Sequence, residues 1–124
     1  MKDEERRKPV DLKLRTKQFA LRIIRLYSAM PKSAVAQILG KQMLRSATSV
    51  GAHYREATRS RSNAEFISKI QGGLQELEET SYWLELTVES GVFALARVKD
   101  LMEEANELTA ILTTCVKNAR RRKK

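Results

Sequence analysis

Residues 49–70 read "SVGAHYREATRSRSNAEFISKI": the end of one amphipathic helix, a basic turn, and the beginning of another. As far as Thr58 the apolar and small residues keep helical spacing, with Val50, Tyr54 and Ala57 on one side. "RSRS" at residues 59–62 breaks that pattern. Glu65 follows Ser62 in an S-x-x-E capping box, where a serine hydroxyl accepts from an orphan N–H of the next helix. So short a turn folds the second helix back along the first, and the unit it predicts is an antiparallel helix pair.

Upstream, "LYSAMPKS" at residues 26–33 stops an earlier helix, because Pro31 disfavours helical geometry at Met30. Downstream, "ESGVF" at residues 89–93 carries the stop signal Gly91. The spacing therefore predicts helices over about 12–29, 34–58, 62–89 and 94–119. The expected fold is all-α, an up-down-up-down four-helix bundle over residues 12–119. A flexible charged N-terminus (1–11) and a basic C-terminal tail (120–124) flank it. With 124 residues, two prolines and five glycines, the chain suits one helical domain with a sizeable core.

The inward stripes follow from the same spacing. The first helix turns Leu12, Phe19, Ile23, Leu26 and Met30 inward, and the second Met43, Ala47, Val50, Tyr54 and Ala57. For the third the predicted seam is Ile67, Ile70, Leu74, Leu77, Ser81, Leu84 and Val88. For the fourth it is Val98, Leu101, Ala105, Leu108, Leu112, Cys115 and Ala119. Apolar residues then remain on outer faces: Leu14, Leu21 and Ile24 on the first helix, Trp83 and Leu86 on the third. Large apolar groups gathered on an outer face mark an interface, so a homo-oligomer is expected. Gly51, inside a helix, costs about 1 kcal/mol relative to alanine. Close approach of another helix offsets that cost, and Gly51 joins the expected interface residues.

Charge is divided along the chain, whose net value is +9. Residues 12–62 hold eleven Lys and Arg against one acid, and residues 63–114 three against ten. A cationic first half suits a polyanionic partner, or an acidic surface of a neighbouring copy. On the second helix Lys41, Arg45, Arg55 and Arg59 align, with Arg61 just beyond. Arg15, Arg22 and Arg25 lie along one side of the first helix, and Arg120, Arg121 and Arg122 lead the tail. These residues form a candidate surface for the phosphates of RNA or DNA.

Other classes fit poorly. One histidine and one cysteine supply no di-iron or zinc ligand set, and there is no phosphate-cradling glycine loop. No catalysis, cofactor or metal is expected. No stretch reaches the roughly 18 apolar residues of a membrane span, so a cytoplasmic protein without membrane attachment is expected. Cys115 reads as a small buried apolar group.

Three segments carry a resemblance: "LYSAMPKS" at 26–33, "GKQMLRSATSVGAHYREATRSRSNAEFISKI" at 40–70 and "LQELEETSYWLELTVESG" at 74–91. Together they resemble the small bacterial four-helix-bundle proteins, some encoded in intervening sequences within large-subunit ribosomal RNA genes. That family is similar in turn to the accessory variability determinant of diversity-generating retroelements. The likeness runs from about Phe19 to Lys117. It implies a homopentameric barrel of bundles with nucleic-acid-binding basic surfaces, and in the retroelement relatives a reverse transcriptase partner. An interaction scaffold without a nucleic-acid role is the alternative. The position after Ala52, commonly asparagine in that family, is His53 here, on a flank expected to be polar and exposed.

Overall fold

The computed structural model describes residues 11–122, so the expected N-terminal segment up to residue 10 and the tail residues 123 and 124 lie outside the described residues. Four helices follow one another: α1 (Leu12–Ser28), α2 (Ala34–Thr58), α3 (Asn63–Glu89) and α4 (Leu95–Arg122). Among the described residues there is no strand.

The helix ends obey local chemistry. Leu14 N–H donates to Asp11 Oδ1 at 3.0 Å, Ala36 N–H to Ser33 Oγ at 3.2 Å and Glu65 N–H to Ser62 Oγ at 3.1 Å. Each such cap stabilises its helix by about 1 kcal/mol. Asp11 therefore belongs to the bundle as the cap of α1. At the end of α3, Gly91 adopts φ +79°, in the left-handed region that favours glycine. Val92 N–H reaches back to Thr87 O at 2.9 Å and Gly91 N–H to Val88 O at 3.0 Å, the paired bonds of a Schellman stop. One boundary differs from expectation. The helix α4 continues through Arg120, Arg121 and Arg122, because a run of arginines has good helix propensity and favours the negative end of a helix dipole.

Consecutive helices pack side by side, α2 with α3 most extensively, and α4 closes the ring against α1 through the fewest contacts. Each neighbouring pair is antiparallel. Gly51 of α2 lies against Thr16 of α1, and Gly40 against Tyr27 and Met30. Arg45 meets Glu79, and Asn63 at the start of α3 donates to Ala119 O near the end of α4, at 2.6 Å. The core holds Phe19, Ile23, Met43, Ile70, Leu77, Leu84, Leu108 and Leu112, each at most 1% exposed.

The inward faces of α1 and α2 follow the predicted stripes, except that Tyr54 is half-buried. On α4, Val116 takes the buried place expected of Cys115, which is half-buried. The stripe of α3 is rotated. Its buried residues are Ile70, Gly73, Leu77, Thr80, Leu84 and Thr87, while Ile67, Leu74 and Val88 are partly covered and Ser81 is half-buried. The cause is the tight α2–α3 crossing, where small residues of α3 admit α2 and the hydroxyls of Ser46 and Thr80 bond at 2.8 Å with no exposure.

That rotation shifts Trp83 and Leu86 from the outer placement expected of them, and a separate crossing accounts for Gly51. Trp83 is half-buried and packs on the core, and Leu86 is half-buried as well; Tyr82, 53% exposed, is the aromatic that faces out. Gly51 is buried within its own chain, its missing side chain filled by Thr16, so it serves a helix crossing inside the bundle. Leu14, Leu21 and Ile24 are exposed by 49%, 39% and 41% and do form an outward stripe on α1.

Candidate nucleic-acid interface

Antiparallel packing sorts the cations by the end of the bundle they reach. The C-terminus of α2, the N-terminus of α3 and the C-terminus of α4 meet, tied by the Asn63–Ala119 bond. Arg55, Arg59, Arg61, Arg120, Arg121 and Arg122 therefore gather at one end, and all six are exposed. None has a described carboxylate within ion-pair distance. Helix dipoles cannot offset this excess. Two C-termini contribute about half a negative charge each there, and the N-termini of α1 and α3 about half a positive charge each. The side chains alone set the sign of the field.

A groove of about 410 Å³ on the acidic side of α3 is lined by Gln75, Glu78, Glu79 and Tyr82, and one of about 400 Å³ at the basic end by Glu56, Arg59, Arg61, Glu65 and Lys69. In the second groove Glu56 is already engaged, 3.6 Å from Lys69 Nζ. Arg59 and Arg61 face open solvent beside it.

The other cations divide. Arg45 Nη2 donates to Glu79 Oε1 at 2.7 Å and its Nη1 stands 3.6 Å from Glu76 Oε1, so its charge is matched within the chain. Arg15 is matched more completely. Its Nε and Nη2 grip both oxygens of Glu104 at 2.8 Å, and Nη2 also reaches Glu107 at 3.2 Å. Hydrogen bonding to Glu104 raises the affinity of Arg15 for its proton above the usual arginine range, against the opposing effect of burial. The pairing of basic α1 and α2 with acidic α3 and α4 thus occurs within one chain at these two arginines. Lys41 is exposed and has no described carboxylate partner, but it sits fourteen residues before Arg55, about 21 Å along the helix. Arg22 and Arg25 lie near the opposite end, close to Arg97.

His53 is placed differently from its expected polar flank. Its side chain is 31% exposed, with Nδ1 3.8 Å from Glu56 and Nε2 3.9 Å from Glu76, and its ring occupies the space above Gly72 between α2 and α3. Near the basic end, burial pushes the Tyr54 hydroxyl and the Cys115 thiol above their usual ranges, Arg122 partly opposing the shift at Cys115. No described group of three or more His, Cys, Asp and Glu residues could hold a metal ion. No described helix is long and apolar enough to cross a membrane.

Sequence reasoning overlooked Arg97, one of only three cations among ten acids in residues 63–114. It also treated the arginines of 55–61 and 120–122 as separate features. Antiparallel topology was the signal that joins them, since it puts the ends of the second and fourth helices together.

The model of a family described as 23S rRNA-intervening sequence protein matches residues 10–114. A crystal structure of a protein with unknown function from the S23 ribosomal protein family, from Bacteroides thetaiotaomicron VPI-5482, is similar at 34% sequence identity. It superposes with a TM-score of 0.81 and covers 86% of this chain and 98% of its own. Among curated proteins none matches this chain.

Proposed function

The chain belongs to the 23S rRNA-intervening sequence protein family, and from that premise we propose that it is a non-catalytic, oligomeric protein that binds the phosphate backbone of RNA or DNA without reading bases. The observation that carries this reading is the end of the bundle where Arg55, Arg59, Arg61, Arg120, Arg121 and Arg122 stand exposed and unmatched by described carboxylates. Guanidinium groups suit this task because their planar fork meets two phosphate oxygens at once. Helix surfaces rich in arginine and free of exposed aromatic platforms track backbone charge and leave base edges unread.

Assembly strengthens the same reading. The exposed stripe of Leu14, Leu21 and Ile24 is the proposed contact between copies, with a homopentamer as the proposed state. Several basic ends on one particle convert weak contacts into useful affinity through multivalency. Anisotropy titrations with unrelated RNA and DNA oligonucleotides test the proposal. Comparable affinities across sequences, lowered alike when Arg55, Arg59 and Arg61 become alanine, are expected. Binding of a single sequence only, or none of any sequence, would overturn it.

A further inference from the structure

The loosest seam of the bundle lies between α1 and α4, and a recess of about 240 Å³ opens there, lined by Arg22, Arg25, Leu26, Arg97, Asp100 and Leu101. Three arginines from two helices thus line one small space. Arg22 and Arg25 also line the adjoining groove of about 300 Å³, together with Gln18, Phe19, Leu21 and Glu104. The two recesses share Arg22 and Arg25 and together make a trough along the seam; Arg97 lines the first alone, and Leu21, a proposed contact between copies, the second alone.

Among the described residues, no carboxylate lies within 4.0 Å of Arg22, Arg25 or Arg97. Two acids line the trough. Glu104 is held by Arg15 through both of its oxygens at 2.8 Å, which leaves Asp100 as the acid without an ion-pair partner. Three cations against one available carboxylate is an excess that an anion relieves. The site is also partly ordered in advance. The Arg97 guanidinium carbon lies 5.4 Å from the centroid of the Phe93 ring, a cation–π contact that restrains the side chain. Leu26 and Leu101, 5% and 6% exposed, are the apolar residues at the base of the recess.

From this arrangement we infer that the trough seats a phosphomonoester, the terminal phosphate of a nucleic-acid strand. A phosphomonoester carries about −1.5 to −2 charge at neutral pH and three terminal oxygens for charge-assisted bonds. An internal phosphodiester carries one charge and cannot enter a recess end-on. The trough lies at the opposite end of the bundle from Arg55 and Arg59, so strand-end capture and backbone tracking are separable. The inference rests on the proposed nucleic-acid binding for the source of its phosphate.

The test compares two single-stranded oligonucleotides of one sequence, one with a 5′-phosphate and one with a 5′-hydroxyl, titrated against the full chain by fluorescence anisotropy. The phosphorylated strand is expected to bind about tenfold more tightly, the ratio that one charge-assisted hydrogen bond supplies. Arg97→Gln, at an exposed position, should abolish that ratio while leaving the 5′-hydroxyl strand nearly unaffected. Arg55→Ala/Arg59→Ala/Arg61→Ala should weaken both strands and preserve the ratio. Equal affinity for the two strands, or a preference that survives Arg97→Gln, overturns the assignment. Calorimetric binding of inorganic phosphate that needs Arg97, without any strand-end preference, makes free phosphate the occupant and overturns it too. If neither strand binds the wild-type chain, the backbone-binding proposal falls together with this one; if both bind equally, only this one does.

Discussion

Gly51→Ala opposes two effects whose sizes can be compared. Alanine gains about 1 kcal/mol of helix propensity over glycine, which alone would stabilise the fold. Its new methyl, however, would lie 3.2 Å from Thr16 Oγ1 and 3.5 Å from Thr16 Cβ. Thr16 has little room to yield. It is fully buried, β-branched, and its hydroxyl donates to Leu12 O at 2.6 Å, so a new rotamer would strand a buried polar group. The helices must separate by a few tenths of an ångström, and overpacking of this kind costs about 1–3 kcal/mol. We expect a net loss of about 1 kcal/mol in urea unfolding. In a Thr16→Ala background the obstacle is gone, and Gly51→Ala should then stabilise by about 1 kcal/mol, a coupling of about 2 kcal/mol between the sites. A gain in stability from Gly51→Ala alone, with no coupling to Thr16, would refute the close crossing of α1 and α2.

Arg45→Ala should change nucleic-acid affinity far less than Arg55→Ala, because Glu79 and Glu76 already match Arg45; equal losses in anisotropy titrations would contradict this. Trp83→Ala should cost about 3 kcal/mol of fold stability through lost core packing, whereas Leu21→Glu, on the outward stripe of α1, should leave folding intact and reduce the particle mass in light scattering. Unchanged mass for Leu21→Glu would remove that stripe as the contact between copies. The raised pKa of Cys115 favours its neutral thiol in the folded chain, so its contribution to stability is complete below the ordinary thiol range near pH 8.5 and is lost as pH rises through the folded value. Slow native alkylation at pH 7.5 and a falling urea midpoint above about pH 9 are expected, and rapid alkylation at neutral pH would count against it.

Much of the architecture is written in local signals that act over a few residues. Ser62 with Glu65, Pro31 and Gly91 each act through the nearest backbone groups, and the helix boundaries they mark agree closely with those observed. The inward stripe of α1 was equally legible because large apolar residues dominate it. The stripe of α3 was not. Its deepest positions include Gly73, Thr80 and Thr87, which a hydrophobic count passes over, yet small and hydroxyl-bearing residues are what a tight crossing with α2 requires. The error carried forward to Trp83, whose outward placement depended on that stripe. At the candidate site, alignment on one helix identified Arg55 and Arg59 but could not reveal which cations were already matched. Arg45 and Arg15 reach acids 34 and 89 residues away, partners that only tertiary packing supplies. Arg97 was hidden by the acids that surround it in sequence, although its partners in the trough come from α1.

The salt dependence of binding tests the arginine-rich end most directly. Each cation that neutralises a phosphate releases counterions, with a slope in log affinity against log salt of about −0.7 per contact on single strands. Converting Arg55, Arg59 and Arg61 to alanine should flatten the slope by up to about 2 for each bound copy, and converting Arg120, Arg121 and Arg122 should do likewise. Both variants should keep the particle mass and helix content of the parent. The account predicts those flattened slopes with affinity lost evenly across unrelated sequences. Slopes and affinities unchanged in both variants would contradict it.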